Sequence, residues 1–264
     1  YIPYIADAIL AQPQLAHRLH GLAIGNPEID TVLQYPQTPP YLRALGLIGE
    51  AQAERALADF SNCSTLVGGG RWRAAADACE AWLDSLVAAA GSPFRYDVRT
   101  YENWFADAVV TLDAYLNTAP VRAALHVGKN RTWNSGDGET EPNKVSMALI
   151  EEIEKPGALA VLARALERGV RAVVYDGNFD GSPFNHWSTE HALEHMAWSG
   201  AADFLAATHH PLVLPTRAQP AQNGTIYVRA AAGANLSFVV VPNAGHLVPH
   251  DQPALALSFI EWFV

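Results

Sequence analysis

Basic residues, cysteines and long hydrophobic runs are all scarce in the 264-residue sequence. The chain has 17 Lys and Arg against 27 Asp and Glu, and its formal net charge is -10. A nucleic-acid-binding protein needs a basic surface that displaces phosphate counterions, so the composition argues against that class. The longest apolar runs, at 236–242 and 170–175, are much shorter than the roughly 20 residues of a membrane-spanning helix. Neither nucleic acid nor a membrane is therefore an expected partner.

Cys63 and Cys79 are the only cysteines, which is too few for a disulfide scaffold, and they lack the spacing of a zinc site. Four Asn-x-Ser/Thr sequons exceed the roughly one that chance would supply, and they favour a protein of the secretory pathway. In that compartment a bridge between Cys63 and Cys79 is chemically permitted and would contribute about 3 kcal/mol. Each cysteine could equally pair with a partner outside these residues. The candidate glycosylation sites are Asn62, Asn130, Asn223 and Asn235.

The bulk composition is that of a folded protein. Half of the residues are hydrophobic and 17% are charged, so the chain can bury the core of one large or two modest domains. The sequence begins at Tyr1 without an initiator Met or the pattern of a signal peptide. We therefore expect an excerpt, a processed chain or one piece of a larger protein.

Hydrophobic periodicity predicts an α/β core that is interrupted by a helical insertion. We predict part of the core over 1–34, the insertion over 35–120, marked by alanine-rich helical patterns, and the remainder of the core over 121–264. The predicted strands are 19–27, 170–175, 224–230 and 235–241, and the predicted core helices are 1–12, 121–127, 145–154, 157–168, 189–198 and 253–262. This alternation favours a sheet with parallel strands covered by helices, in which the last two strands could form a hairpin.

Two loops that directly follow predicted strands contain an acid and a base. Asp180 follows the strand that ends at Tyr175, and His246 follows the strand that ends at Val241. Reacting groups of open α/β sheets lie on such loops. Because a His held by a buried carboxylate is the usual activator of a Ser nucleophile, the pair is a candidate for Ser-His-Asp chemistry. Asp180 could instead only cap its turn, His246 could be an ordinary turn residue, and Asp176 competes as the acid.

Five segments, in chain order, resemble landmarks of the serine carboxypeptidase family. They are Tyr-Ile-Pro at 1–3, Leu-Ala-Ile-Gly-Asn at 22–26, Val-Arg-Ala-Ala-Leu-His-Val at 121–127, Val-Val-Tyr-Asp-Gly-Asn-Phe-Asp at 173–180 and Ala-Gly-His-Leu-Val-Pro-His-Asp-Gln-Pro at 244–253. Thr-Glu-His at 189–191, Met-Ala-Trp at 196–198 and Gly200 look most like the vitellogenic-like branch of that family.

The resemblance implies a fold, a reaction and three site residues. The fold is an α/β-hydrolase fold with a helical lid insertion, here with the N-terminal strands missing. The reaction is the release of C-terminal residues from peptides through an acyl-enzyme, without a cofactor. Asp180 would be the triad acid, His246 the general base and Leu247 a substrate-binding residue beside the pocket of the leaving residue. The implied location is the secretory pathway, ending in a lysosome or vacuole or outside the cell.

The nucleophile is the main departure from the family pattern. Family members carry their Ser in Gly-Glu-Ser-Tyr-Ala-Gly directly before the Tyr-Ile-Pro landmark, whereas no Gly-x-Ser-x-Gly occurs in this chain. The resemblance thus implies that an upstream segment or a partner chain supplies the Ser, and that this chain alone does not hydrolyse peptides. The alternatives are an inactive fragment or binding remnant, or an acyltransferase of the same family.

Two metal-site patterns compete with that interpretation. His191, Glu194 and His195 match the H-x-x-E-H pattern of inverted zinc proteases, although an amphipathic helix with solvent-facing side chains explains them equally simply. The acidic residues Asp137 and Glu139 with Glu141 could bind calcium, although a solvated loop explains them as well. We expect no metal.

Absence of the N-terminal strands would leave one sheet edge without a neighbour. The apolar faces of Ala23, Ile24, Val173 and Val174 would then be open to water or to another chain. We therefore expect either a partner segment or aggregation.

Overall fold

A computed structural model describes residues 1–128, 131–133, 144–215, 223–231 and 234–264. The helices are α1 (Ile2–Leu10), α2 (Pro13–Ala16), α3 (Thr31–Gln34), α4 (Thr38–Ala44), α5 (Glu50–Asp59), α6 (Ser61–Gly68), α7 (Trp72–Ala89), α8 (Trp104–Leu116), α9 (Ala119–Ala124), α10 (Lys144–Ile153), α11 (Ala158–Glu167), α12 (His186–Glu194), α13 (Ala201–Ala206), α14 (Val248–Asp251) and α15 (Pro253–Phe263). The strands are β1 (Gly21–Gly25), β2 (Arg171–Gly177), β3 (His210–Pro215), β4 (Asn223–Ala230) and β5 (Leu236–Val241).

The five strands form one mixed sheet in the order β1-β2-β5-β4-β3. β1, β2 and β5 are parallel, with Gly25 opposite Tyr175 and Gly177 opposite Val241. β4 runs antiparallel to both β5 and β3, which confirms the predicted hairpin of the last two strands. The carboxyl ends of the three parallel strands therefore lie side by side at one edge of the sheet.

Helices cover both faces of the sheet because alternate strand residues point to opposite sides. Val174 packs with residues of α1, α11, α12 and α13 on one face. Its neighbour Val173 packs with α15 on the other face, where Phe259 is fully buried. The sheet is thus sandwiched between helical layers, as the alternation of elements predicts.

The helices α4 to α7, between β1 and β2, have a separate hydrophobic core. Trp82 lies at its centre, where its ring packs against Phe60 and Tyr35 and its Nε1 donates to the carbonyl of Ala56. A disulfide joins Cys63 of α6 to Cys79 of α7 within this core. The sequence left open whether the two cysteines pair with each other or with partners outside these residues, and in the structure they pair with each other. The insertion boundaries at 34 and 120 stay a prediction.

Several expectations need correction. Ile24, Val173 and Val174, which we expected to be open to water, are at most 5% exposed because the helices on both faces cover them. Ala23, on the edge strand β1, is exposed as expected. The prediction of a sheet with parallel strands missed β3, whose two prolines are tolerated because it is an edge strand. No helix in the described part of the chain combines the length and hydropathy needed to cross a membrane.

Candidate active site

Three loops meet at the edge of the sheet where the parallel strands end. The first is the short turn after β1, which contains Asn26. The second, called the acid loop, comprises residues 178–182 and follows β2. The third, called the histidine loop, comprises residues 242–247 and follows β5. Since β2 and β5 are parallel neighbours in register, their loops bring together residues that are 66 positions apart in sequence.

Asp180 of the acid loop is fully buried and accepts four hydrogen bonds. Its Oδ2 accepts from His246 Nδ1 at 2.7 Å and from Asn26 Nδ2 at 2.8 Å. Its Oδ1 accepts from the backbone nitrogen of Ser182 at 3.0 Å and from Ser182 Oγ at 2.6 Å. Asp180 therefore caps its turn and contacts the histidine at once, so the two interpretations of this residue are compatible. A carboxylate with both oxygens satisfied in this way has one fixed orientation.

His246 is held in place by three sets of contacts. Its Nδ1 is engaged by Asp180, its backbone nitrogen donates to the carbonyl of Tyr96 at 2.7 Å, and its ring packs against those of Tyr96 and Phe184. The side chain is 27% exposed. Because the hydrogen bond to Asp180 uses Nδ1, Nε2 is the ring nitrogen that is left to exchange a proton with another group.

Asn26 is a site residue that the sequence reasoning did not single out. It adopts a left-handed backbone conformation with φ of 40°, which Asn tolerates better than most residues. Its backbone nitrogen donates to Tyr175 O at 2.9 Å, and this bond positions the side chain to reach Asp180. The available signals were its place in Gly-Asn-Pro at the end of a strand and in the landmark segment 22–26.

Asp176, the competing acid, does not pair with His246. It is fully buried near the end of β2, and its carboxyl oxygens have no hydrogen-bond partner of acceptable geometry in the described part of the chain. Burial raises its pKa well above the usual range, and the nearby charge of Asp180 adds to that effect. Burial of Asp176 thus opposes its charged form, and the carboxylate that contacts His246 is that of Asp180.

Leu247 lies directly after His246 and is half-buried. It is the N-cap of the short helix α14, and its carbonyl accepts from the backbone nitrogen of His250 at 2.9 Å. The structure therefore places this residue beside the Asp180–His246 pair. Its contact with a substrate stays a prediction.

The side chains that match the zinc pattern on α12 make other contacts. Glu194 Oε1 accepts from Arg229 Nη1 at 2.6 Å, and His195 Nδ1 lies 2.8 Å from the carbonyl of His191. Among the residues that the structure describes, no three His, Cys, Asp or Glu side chains are grouped to hold a metal ion. The possible calcium ligands Asp137, Glu139 and Glu141 lie outside the described residues.

The four sequons differ in their surroundings. Asn62 is exposed on α6. Asn235 is half-buried, and its Nδ2 donates to Leu166 O at 2.6 Å and to Val170 O at 3.2 Å. The backbone of Asn223 begins β4. Asn130 lies outside the described residues.

The pattern of the serine carboxypeptidase family matches residues 1–264. The chain belongs to the serine carboxypeptidase family. Its membership confirms the family that the sequence landmarks resemble, and the narrower likeness to the vitellogenic-like branch stays a prediction.

Curated members of the family are similar to this chain over its whole length. The pheromone-processing carboxypeptidase kex1 of Talaromyces stipitatus is 30% identical over 286 residues, covering 100% of this chain and 44% of that protein. The KEX1 protein of Phytophthora infestans is 27% identical over 276 residues, with the same coverage of 100% and 44%. A serine carboxypeptidase-like protein of Pisum sativum is 27% identical over 274 residues, covering 99% of this chain and 90% of that protein. The chain thus spans less than half the length of the two pheromone-processing relatives.

The fold of this family member is similar to a solved carboxypeptidase structure. Kex1(delta)p, a prohormone-processing carboxypeptidase from Saccharomyces cerevisiae, matches with a TM-score of 0.76 and 22% sequence identity. The match covers 100% of this chain and 59% of the yeast chain. It confirms the predicted α/β-hydrolase fold, and at this identity it supports the fold alone.

Proposed function

We propose that this chain provides the acid and the base of a serine-type carboxypeptidase, which releases C-terminal residues from peptides through an acyl-enzyme. The observation that carries the proposal is the 2.7 Å hydrogen bond between Asp180 Oδ2 and His246 Nδ1, at the carboxyl ends of two neighbouring parallel strands. Membership of the serine carboxypeptidase family and similarity to carboxypeptidases over the whole chain support it.

In the proposed reaction, His246 takes up and gives back a proton twice, once in forming the acyl-enzyme and once in hydrolysing it. Its Nε2 takes the proton of a Ser hydroxyl while the Ser oxygen forms a bond to the scissile carbonyl carbon, and Asp180 stabilises the imidazolium. His246 then gives this proton to the leaving nitrogen, the C–N bond breaks, and the C-terminal residue departs as a free amino acid. A water molecule next loses a proton to His246 while its oxygen forms a bond to the acyl carbon. The bond between that carbon and the Ser oxygen then breaks, His246 returns the proton to the Ser oxygen, and the shortened peptide departs.

The proposal places the Ser outside these 264 residues, on an upstream segment or a partner chain. Neither the sequence nor the loops around the Asp180–His246 pair contain a Ser in a Gly-x-Ser-x-Gly elbow. Ser182 lies close to the pair, but its hydroxyl is buried and donates to Asp180 Oδ1. It serves to hold the acid and is not aimed at His246 Nε2.

We also propose that the protein follows the secretory route and works in a lysosome or vacuole or outside the cell. A disulfide between Cys63 and Cys79 persists in an oxidising compartment, and an exposed sequon at Asn62 is accessible to glycosylation. The proposed substrate is a peptide with a free C-terminus, and half-buried Leu247 beside His246 would contact its last residue.

The proposal can be tested on the natural gene product that contains these residues. A phosphonofluoridate should label one Ser in it, and the protein should release a free amino acid from an N-blocked dipeptide. The variant His246→Ala should lose both activities while its circular dichroism spectrum is unchanged. His210→Ala is the matched control, because His210 is an exposed histidine at the start of β3 and should tolerate the change.

Each alternative gives a different result in that experiment. Labelling of a Ser with transfer of the acyl group to an added alcohol or amine, and no free acid, would indicate an acyltransferase. Absence of both labelling and turnover would indicate a binding remnant. Unchanged turnover in His246→Ala would exclude His246 as the base.

A further inference from the structure

A short segment of the chain between β1 and β2 packs against both loops that carry the Asp180–His246 pair. This segment, called the strap, comprises residues 95–99, between α7 and α8. The backbone nitrogen of Gly181 donates to Arg95 O at 2.9 Å, and that of Val98 donates to Phe179 O at 3.0 Å. These two bonds fasten the strap to the acid loop.

The strap is fastened to the histidine loop as well. The backbone nitrogen of His246 donates to the carbonyl of Tyr96 at 2.7 Å. One stretch of five residues therefore makes backbone hydrogen bonds to both loops that carry the proposed catalytic groups.

Two glycines allow the strap to approach this closely. A Cβ atom on Gly181 would lie 2.2 Å from Val98 Cγ1, and a Cβ atom on Gly245 would lie 2.5 Å from the carbonyl oxygen of Tyr96. Neither glycine has a positive φ, so the need for glycine comes from the contact with the strap and not from the turn itself.

Arg99 ties the strap to the histidine loop through its side chain. Its guanidinium donates to both carboxylate oxygens of Asp97 at 2.7 Å, to Asp251 Oδ2 at 2.7 Å and to the carbonyl of Asn243 at 2.7 Å. The same Asp251 Oδ2 accepts from the backbone nitrogen of Gly245 at 2.6 Å. The chain of bonds Arg99–Asp251–Gly245 thus ends at the residue directly before His246.

Arg99 also contacts the acid loop. Its guanidinium lies over the ring of Phe179, 5.3 Å from the ring centroid, and Phe179 directly precedes Asp180. Arg99 therefore touches both loops, at Phe179 next to Asp180 and at Asn243 three residues before His246.

We propose that the strap is a positioning element of the active site and that Arg99 is its main positioning residue. By binding both loops, the strap sets the distance and the angle between the Asp180 carboxylate and the His246 ring. This inference rests on the proposed function, since the geometry matters for proton transfer by His246. A displacement of about 1 Å can lower a rate by about 100-fold, so we expect Arg99→Ala to lower kcat by about 10- to 100-fold. Because Arg99 acts through the loops, KM should change by less than about threefold.

Arg229 offers a closely matched control. Its guanidinium also donates to two carboxylates, those of Glu190 and Glu194, and to the backbone carbonyls of Ala207 and Leu205. It also lies over a phenylalanine ring, at 4.8 Å from the centroid of Phe204. Its hydrogen bonds, however, reach neither the acid loop nor the histidine loop. Arg229→Ala removes a similar set of contacts at a place where no effect on His246 is expected.

The test combines kinetics with NMR of the natural gene product labelled with ¹⁵N-histidine. The hydrogen bond to a buried carboxylate shifts the His246 Nδ1 proton far downfield, and this resonance reports on the pair independently of turnover. Arg99→Ala should weaken or broaden the resonance and lower kcat, and Arg99→Lys should restore only part of both. Added guanidinium ion at millimolar concentration should partly rescue Arg99→Ala. Arg229→Ala should keep the resonance and kcat.

Four results separate the possibilities. A folded Arg99→Ala with the wild-type resonance and kcat overturns the proposal, and so does an equal loss in Arg229→Ala. If Arg99→Ala does not fold, Arg99→Lys provides the test. An unperturbed Nδ1 resonance and kcat in Arg99→Lys would also overturn the proposal. A wild-type protein without peptidase activity whose Nδ1 resonance still depends on Arg99 refutes the proposed function and leaves the positioning role in place.

Discussion

Replacing Asp180 by Asn tests the central pair with almost no change in size. The amide oxygen of Asn can still accept both hydrogen bonds from Ser182. The amide nitrogen then stands where Oδ2 was, facing two donors, Asn26 Nδ2 and His246 Nδ1. His246 can relieve this conflict only by moving its proton from Nδ1 to Nε2. A neutral imidazole protonated at Nε2 cannot take the proton of a Ser hydroxyl.

The expected loss is large and falls on one kinetic constant. The same exchange lowers kcat by about 10⁴ in a well-studied serine protease triad. At about 1.36 kcal/mol for each tenfold change, this corresponds to about 5.4 kcal/mol of lost transition-state stabilisation. KM should change by less than about threefold, because Asp180 is fully buried and does not face the substrate. Steady-state release of the C-terminal amino acid by the natural gene product measures both constants.

Asp176→Asn is the matched control for that experiment. Asp176 is four residues away and equally buried, burial raises its pKa well above the usual range, and it is Asp180 that pairs with His246. The amide should therefore leave kcat within a few-fold of the parent. A rate for Asp180→Asn near that of the parent, together with a large loss in Asp176→Asn, would refute the reasoning and assign the acid to Asp176.

Three further predictions concern stability and modification. Burial, with the charge of Glu154, raises the pKa of Glu28 from 4.5 to about 8, so the folded protein holds a proton there and loses stability as the pH rises from 4.5 to 8. Glu28→Gln should remove this loss of stability, which is at most about 5 kcal/mol at about 1.4 kcal/mol per pKa unit. The prediction would be contradicted if the urea midpoint shifted equally between pH 5 and pH 8 in the parent and in Glu28→Gln. Replacing both Cys63 and Cys79 by Ala should lower the free energy of unfolding by about 3 kcal/mol. A reductant should lower the free energy of unfolding of the parent by the same amount and should not change that of the variant. Asn235 should carry no glycan, because its Nδ2 already donates to two carbonyls, and a glycopeptide containing it in a mass spectrum would contradict this.

Four of the five described strands and the loops after β2 and β5 were accessible from the sequence, and so was the Asp180–His246 pair. Val173 and Val174 lie in a β-branched run that predicts a buried strand, and the acidic turn that follows it stands at the end of that strand. Parallel strands place their carboxyl ends together, so a carboxylate and an imidazole after two such strands could be expected to meet. The family landmarks made Asp180 the choice over Asp176, and the hydrogen bond between Asp180 and His246 gives a physical reason for that choice.

The supporting contacts were not accessible in the same way. Asn26 is 154 positions away from Asp180, and its role depends on a left-handed turn and on the pairing of β1 with β2. Arg99 lies 144 positions before Asn243, the residue whose carbonyl it binds. No local pattern specifies such contacts, since they arise only when β1 pairs with β2 and the segment 95–99 packs against the loops after β2 and β5. β3 was likewise not predicted, because Pro211 and Pro215 argue against a strand unless that strand lies at the edge of a sheet.

The tautomer of His246 is the most direct test of the account. At a pH where the imidazole is neutral, the ¹⁵N chemical shifts of the labelled natural gene product should show the proton on Nδ1, held by Asp180, and a bare Nε2. Asp180→Asn should reverse this assignment. A wild-type His246 with its proton on Nε2 would contradict the account, because that nitrogen could then not serve as the base.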